Sequence, residues 1–338
     1  MKNKVSLKDI AQKVGVSTAT VSYVLSKGEN SGVSEKVAER VRQVAKELNY
    51  QPNQIAKSLK MGKTFSIGLI VADISNPFFA QIARIVEDEA KKKNYTVIFG
   101  SSDERAEKSW NLIKFLSNRQ VDGFIIAPTE KSEDQIRYLK EEKIPFVLID
   151  RHFPEIPSNF VETKNYESSY KAVKRLIDTG NKNIAMIAYD NSLHHMTERI
   201  RGYRDALKEA ELERHEQVYK VSYDNIEADM KEAISLMFSK KSRPEAIFIA
   251  TNSLAVSGLK YTEQLGYKVG KDIAVISFDQ GEAFDFFYSP LTFIRQPLFK
   301  IAQKATEILI RQINSKKFIN ARISLEGELI IRKSCQIT

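Results

Sequence analysis

The chain has 338 residues, 28% of them charged and 42% hydrophobic, a length that suits a small domain joined to a larger two-lobed one. Its net charge of +9 is unevenly placed: residues 1–62 carry 11 Lys and Arg against 5 Asp and Glu, which marks the N-terminal part as the polyanion-facing one. The single Cys335 excludes an internal disulfide and points to a reducing, cytoplasmic compartment; charges interleaved through positions 5–16 leave no secretory leader, and no run of about 18 apolar residues offers a membrane span.

The first element starts at Ser6, which can cap a helix while Asp9, three residues on, reaches back to the cap amide. Gly15 can take positive φ and close that helix, and Ser17 is placed to cap a second one from Thr18 to Leu25. Ile10, Ala11, Val14, Val16, Val21 and Val24 give the pair an apolar inner side. Thr18, Ala19, Ser22 and Tyr23 face outward, a small, polar, uncharged surface of the kind that presses against base edges in a major groove.

Asp9 to Ser22 reads D-I-A-Q-K-V-G-V-S-T-A-T-V-S, which resembles the DNA-binding helix-turn-helix of the lactose repressor family of bacterial regulators, "D-I/V-A-x-x-A/V-G-V-S-x-x-T-V-S". The resemblance implies DNA contact through Ser17, Thr18, Ala19, Thr20, Ser22 and Tyr23. Tyr23 departs from the pattern, standing where many members carry Arg or His.

A third helix is expected from Ser34 through Leu48, with Val37, Val41, Val44, Ala45 and Leu48 at helical spacing as its core side. Pro52 breaks it. The next segment, Asn53 to Lys60, is too short to be a stable helix alone. It resembles the family's hinge helix, which implies that Ala56 and Leu59 enter the minor groove at the operator centre, with Asn53 and Lys60 beside them. An apolar wedge of this kind opens a base step and kinks the duplex.

Beyond Gly62, short apolar runs alternate with amphipathic helices, which argues for parallel βα units with helices on both faces. Ser66 to Val71, Thr96 to Gly100, Gly123 to Ala127 and Phe146 to Ile149 form one set; Asn183 to Ala188, Ala246 to Ala250 and Ala274 to Phe278 form a second. The order resembles the family's core, so the expected fold is an all-α helix-turn-helix N-terminal domain plus an α/β, two-lobed, periplasmic-binding-protein-like core with parallel sheets and three crossovers. Residues 1–52 form the first domain, 53–62 the hinge and linker, and 63–338 the core, with lobe 1 at about 63–163 and 295–322 and lobe 2 at about 164–292 and 323–338.

Ligands of open α/β sheets bind beyond the carboxyl ends of the strands. After the first strand come Asp73, Asn76, Phe78 and Phe79; Asp103 follows the second; Asp150 and Arg151 end the fourth. Arg199, three residues before Gly202, together with Asn252 and Asp279 matches effector positions of the family, with Ser253 replacing the aspartate that commonly follows the asparagine. His194 and His195 fall in a loop near the pocket or its surface. Such a set suits a carbohydrate, a sugar phosphate or a nucleobase.

No G-x-G-x-x-G, G-x-x-x-x-G-K-S/T or G-x-S-x-G occurs after a strand, and the four histidines lack metal-ligand spacing, so neither an enzyme nor a metal or cofactor is expected. A solute-binding protein would share the core but not the basic N-terminal helices. The expected function is a homodimeric transcriptional regulator, a repressor by preference, bound to pseudo-palindromic operator DNA. A small-molecule effector between the lobes, a sugar or alternatively a purine or other metabolite, sets operator affinity.

Overall fold

The computed structural model describes residues 5–27, 32–51, 62–239, 243–315, 317 and 319–336. Two units separate, Met1–Thr64 and Phe65–Thr338. The first holds α1 (Leu7–Val14), α2 (Thr18–Lys27) and α3 (Glu35–Glu47). Ser6 and Asp9 make the reciprocal cap, with the Ser6 amide donating to Asp9 Oδ2 at 2.7 Å. Gly15, at φ 81°, ends α1 by donating its amide to the Ala11 carbonyl. Ile10, Val21, Val41 and Val44 are fully or almost fully buried between the helices, each contributing about 1.5–3 kcal/mol.

The second unit contains two six-stranded sheets. Sheet order in lobe 1 is β11-β5-β4-β3-β1-β2, built from β1 (Ser66–Val71), β2 (Thr96–Ser101), β3 (Phe124–Ile126), β4 (Phe146–Ile149), β5 (Phe160–Thr163) and β11 (Arg322–Leu325). Lobe 2 follows β12-β10-β9-β8-β6-β7, from β6 (Ile184–Tyr189), β7 (Gln217–Val221), β8 (Ala246–Ile249), β9 (Ala274–Phe278), β10 (Thr292–Arg295) and β12 (Glu328–Ile330). Among the described residues every strand pairing is parallel except β10 with β12. The central strands β1, β3, β4, β8 and β9 are buried almost throughout, as parallel strands covered on both faces must be.

Helices α4 (Pro77–Lys91), α5 (Ala106–Asn118), α6 (Glu133–Glu141) and α12 (Leu298–Ser315) belong to lobe 1. Helices α7 (Asn165–Asp178), α8 (His194–Glu209), α9 (Ile226–Ser239), α10 (Asn252–Gln264) and the short α11 (Ala283–Phe286) belong to lobe 2. The chain passes between the sheets after Thr163 and after Arg295, and a third time between Leu325 and Glu328. That third passage corrects the expected crossing near 322: Ile323, Ser324 and Leu325 pair with β5 in lobe 1. The crossing instead uses Gly327, where an added Cβ would lie 2.6 Å from Ser168 Oγ and 2.9 Å from Ile294 Cγ2. Strands β5 and β7, F-V-E-T and Q-V-Y-K-V, were not among the expected runs because polar residues interrupt both.

Candidate functional site

A cavity of about 280 Å³ lies between the lobes of the second unit. Two aspartates at corresponding places enter it. Asp150 follows β4 and Asp279 follows β9, and both hold positive φ, 64° and 70°, a conformation Asp tolerates better than most side chains. The bend turns each carboxylate away from its strand and into the space between the lobes.

Each aspartate has a buried arginine close by. Arg151 Nε is 3.3 Å from Asp150 Oδ2, and the same guanidinium donates to both oxygens of Glu104, at 2.6 and 2.7 Å. Its face sits 5.7 Å from the centre of the Phe79 ring. Arg199 donates to Asn165 Oδ1 (2.9 Å) and to the Ala250 carbonyl (2.7 Å), and its guanidinium lies 3.6 Å from the centre of the Phe278 ring. Burial pushes Asp150 up to about 6 against the pull of Arg151 and Arg199; it raises Asp279 too, against Arg199, the Gln296 amide and the Asn252 backbone amide. His195 is held well below its ordinary value, by burial first and then by Arg151 and Arg199, so it is neutral at pH 7.

Gly202 explains how Arg199 reaches this place. Helix α8 approaches α7 so closely that a Cβ on Gly202 would sit 2.4 Å from the Tyr166 carbonyl oxygen. That approach brings Arg199 on α8 against Asn165 at the start of α7. The lobes also touch directly. Tyr223 hydrogen-bonds Asp73 across the cavity, and Ser192 donates its amide and hydroxyl to Glu130 Oε1 at 2.9 and 2.7 Å.

Of the ten side chains expected at the pocket, Asp73, Asn76, Phe78, Phe79, Asp150, Arg151, Arg199 and Asp279 line the cavity. Asn76 also caps α4, accepting from the Phe78 amide at 3.0 Å, and both phenylalanines are core as well as wall. Asp103 does not line it. Its carboxylate is bound by Lys108 and by the Ser101 hydroxyl, outside the cavity; Asp103 and Glu104 take consecutive positive φ values, 50° and 56°, and it is Glu104 that turns inward. Asn252 is displaced as well: its side chain donates to the Gln280 carbonyl at 3.1 Å, behind the wall, while Thr251 caps α10 and Ser253 faces the cavity.

Several lining residues escaped the sequence reading. Tyr189, Thr251 and Gln296 each follow or end a strand, so the same strand-end rule could have found them. Glu104 lies in a turn three residues beyond β2, one residue past the expected Asp103; Tyr223 opens a short 3-10 helix two residues after β7, a strand absent from the expected runs, so the rule had no strand end to start from there. Residue His195, expected in a loop, sits in the first turn of α8.

On α2, Ser17, Thr18, Ala19 and Tyr23 are exposed and Thr20 and Ser22 half-buried, with Tyr23 showing 49% of its surface. The Ser17 hydroxyl accepts from the Thr20 amide at 3.0 Å, so it serves as the cap of that helix. Asn53, Ala56, Leu59 and Lys60 lie outside the described residues.

Residues 6–53 match the family model "Bacterial regulatory proteins, lacI family", and residues 64–331 match "Periplasmic binding proteins and sugar binding domain of LacI family". The chain belongs to the LacI family. It is a DNA-binding transcriptional regulator of that family. Among its relatives is the HTH-type transcriptional repressor PurR of Vibrio vulnificus, 32% identical over 97% of both chains; the PurR of Mannheimia succiniciproducens is 30% identical over 97% of this chain and 98% of its own. The lac repressor dimer bound to operator and the anti-inducer ONPF shares the fold, with a TM-score of 0.87, 22% identity and coverage of 99% and 100%. A LacI-family regulator from Enterococcus faecium with bound ribose aligns with a TM-score of 0.71 at 26% identity, over 80% of this chain and 98% of its own. Among the described residues no helix is long and apolar enough to cross a membrane, and no group of three or more His, Cys, Asp or Glu could hold a metal ion.

Proposed function

We propose that this LacI-family chain is a cytoplasmic repressor that grips a pseudo-palindromic operator as a homodimer and changes its grip when a monosaccharide-class effector binds between the lobes. The observation that carries the effector half is the pairing of two buried aspartates with two buried arginines around a cavity of about 280 Å³, below the usual range for drug-sized ligands. Ionised carboxylates accept only, so they call for a ligand rich in hydroxyl donors; the aromatic wall at Phe79 suits the apolar face of a sugar ring. In this reading Asn76, Phe78, Phe79, Asp150, Arg151, Arg199 and Asp279 bind the effector, and Asn252 acts through its backbone amide on Asp279. The second reading is a purine-class effector, which the relatives' name PurR favours.

On the DNA side, Ser17, Thr18, Ala19, Thr20, Ser22 and Tyr23 of two copies enter successive major grooves. Asn53, Ala56, Leu59 and Lys60 of both hinges meet in the minor groove between them. A second copy has apolar surface to cover, since Phe99 on the edge strand β2 is 60% exposed and Leu236 and Val256 on α9 and α10 are exposed as well. Effector and operator are linked reciprocally: each shifts the other's affinity by one common factor through the angle between the lobes.

Fluorescence anisotropy on the upstream intergenic DNA, with sugars, sugar phosphates and purines added in turn, tests the reading. A sugar that strengthens or dissolves a specific complex supports it. A response to purines alone moves the effector to the second reading, and a response that activates transcription in a reporter assay removes repression.

A further inference from the structure

Resting on the reading of the cavity as the effector site, we propose that it accepts an uncharged, hydroxyl-rich ligand and turns away phosphorylated or carboxylated ones, and that Glu104 sets this choice.

Buried arginines are the common means of capturing phosphate and carboxylate groups, and this cavity has two. The protein takes up the fork of Arg151 and two of the three nitrogens of Arg199. Arg151 gives its two terminal nitrogens to Glu104, at 2.6 and 2.7 Å, in the forked geometry an anionic ligand would otherwise use. Arg199 is held by Asn165 and the Ala250 carbonyl and stacked on Phe278. The charges lining the space confirm the direction: Asp73, Glu104, Asp150 and Asp279 face Arg151 and Arg199, with His195 neutral, so negative charge is in excess. A ligand anion would enter a space already short of cations and shielded from water.

A hydroxyl has the opposite fit, because it donates and accepts at once. The wall also carries the hydroxyls of Tyr189, Thr251 and Ser253. A ligand hydroxyl can accept from such a group through its oxygen while donating its proton to Asp150 or Asp279. Glu104 has a different task from those two aspartates. It lies off the strand ends, in a turn of two consecutive positive-φ residues, and spends both oxygens on Arg151. Its effect is to cancel the guanidinium of Arg151, whose fork would otherwise be open to the ligand.

The test follows thermal unfolding of the full chain and of Glu104→Gln, Glu104→Ser and Glu104→Asp, each checked for native circular dichroism. Inorganic phosphate is compared with chloride at equal ionic strength, and ribose with ribose 5-phosphate, glucose with glucose 6-phosphate, and adenosine with AMP. The parent chain and Glu104→Asp should prefer the unphosphorylated member of whichever pair binds by at least about tenfold. Glu104→Gln, or Glu104→Ser if the first does not fold, should gain stability in phosphate beyond the parent and narrow that preference. A parent chain that binds a phosphorylated member as tightly as its neutral counterpart overturns the proposal, as do neutral variants that ignore phosphate. Should adenosine be the compound that binds, the sugar reading fails while the charge rule is still decided by adenosine against AMP. If no pair binds, the phosphate response of the variants decides.

Discussion

Thr163 donates its hydroxyl hydrogen to the side-chain carbonyl of Gln296, joining the first passage between the lobes to the second. The same Gln296 amide donates from its nitrogen to Asp279 in the cavity. One side chain therefore connects the crossover strands to a carboxylate that a ligand would touch, and both of its ends are buried.

Gln296→Ala should leave Thr163 and Asp279 without that partner. Removing one member of a buried hydrogen-bonded set costs about 1–3 kcal/mol, so the denaturation midpoint of the core should fall and effector binding weaken together. An unchanged midpoint would show that water replaces the amide without cost.

Gly202→Ala places a methyl group 2.4 Å from the Tyr166 carbonyl oxygen, a backbone atom that cannot rotate away. An exposed helix normally gains up to about 1 kcal/mol from such a change. Here the overpacking term should prevail, lowering stability by about 1–3 kcal/mol in urea unfolding. Because α8 carries Arg199, effector affinity should drop as well.

The pH dependence of effector binding should follow Asp150, whose carboxyl is pushed up to about 6 by burial. Ligand hydroxyls donate to the ionised form. Below that pH the proton must leave before they can do so, and affinity should therefore fall as pH is lowered from 7 to 5, with protons released on binding. Titration calorimetry in buffers of different ionisation enthalpy reads this directly; affinity that rises toward pH 5 would falsify the role given to Asp150.

Two changes separate folding from reading at the DNA end. Ser6→Ala removes the reciprocal cap with Asp9 and should cost the N-terminal unit about 1 kcal/mol in thermal unfolding. Leu59→Ala should leave nonspecific DNA binding nearly intact and weaken specific operator binding by about tenfold or more. Equal loss on specific and random DNA would remove the wedge role.

The first domain was readable residue by residue because its signals are local: a cap at Ser6, a positive-φ glycine at 15, a helix-period apolar face. The central strands were equally legible, since burial on both faces writes them as unbroken apolar runs. At the cavity, looking just past the strand ends finds Asp150 and Asp279 in the wall and misses by one residue at Asp103, where two positive-φ residues in succession decide which side chain turns inward. No period or composition encodes that turn. Tyr223 was invisible for a related reason: its partner Asp73 is 150 residues away in sequence and meets it only across the gap between lobes.

The strand assignments carry a consequence for how the chain is made. Lobe 1 takes its outermost strand from Arg322–Leu325 and lobe 2 takes one from Glu328–Ile330, and the Ser334 hydroxyl then bonds the Val275 carbonyl and the Thr292 amide beneath the second sheet. As the polypeptide leaves the ribosome, the three helices of the N-terminal unit are complete within its opening fifty or so residues, while neither lobe of the core has its full set of strands until residues 322–330 emerge. Without residues 322–330 each sheet would lack one strand, so the N-terminal unit closes from local contacts while each lobe of the core closes only when this last segment reaches a strand made earlier, Arg322 beside Phe160 and Ile330 beside Phe293.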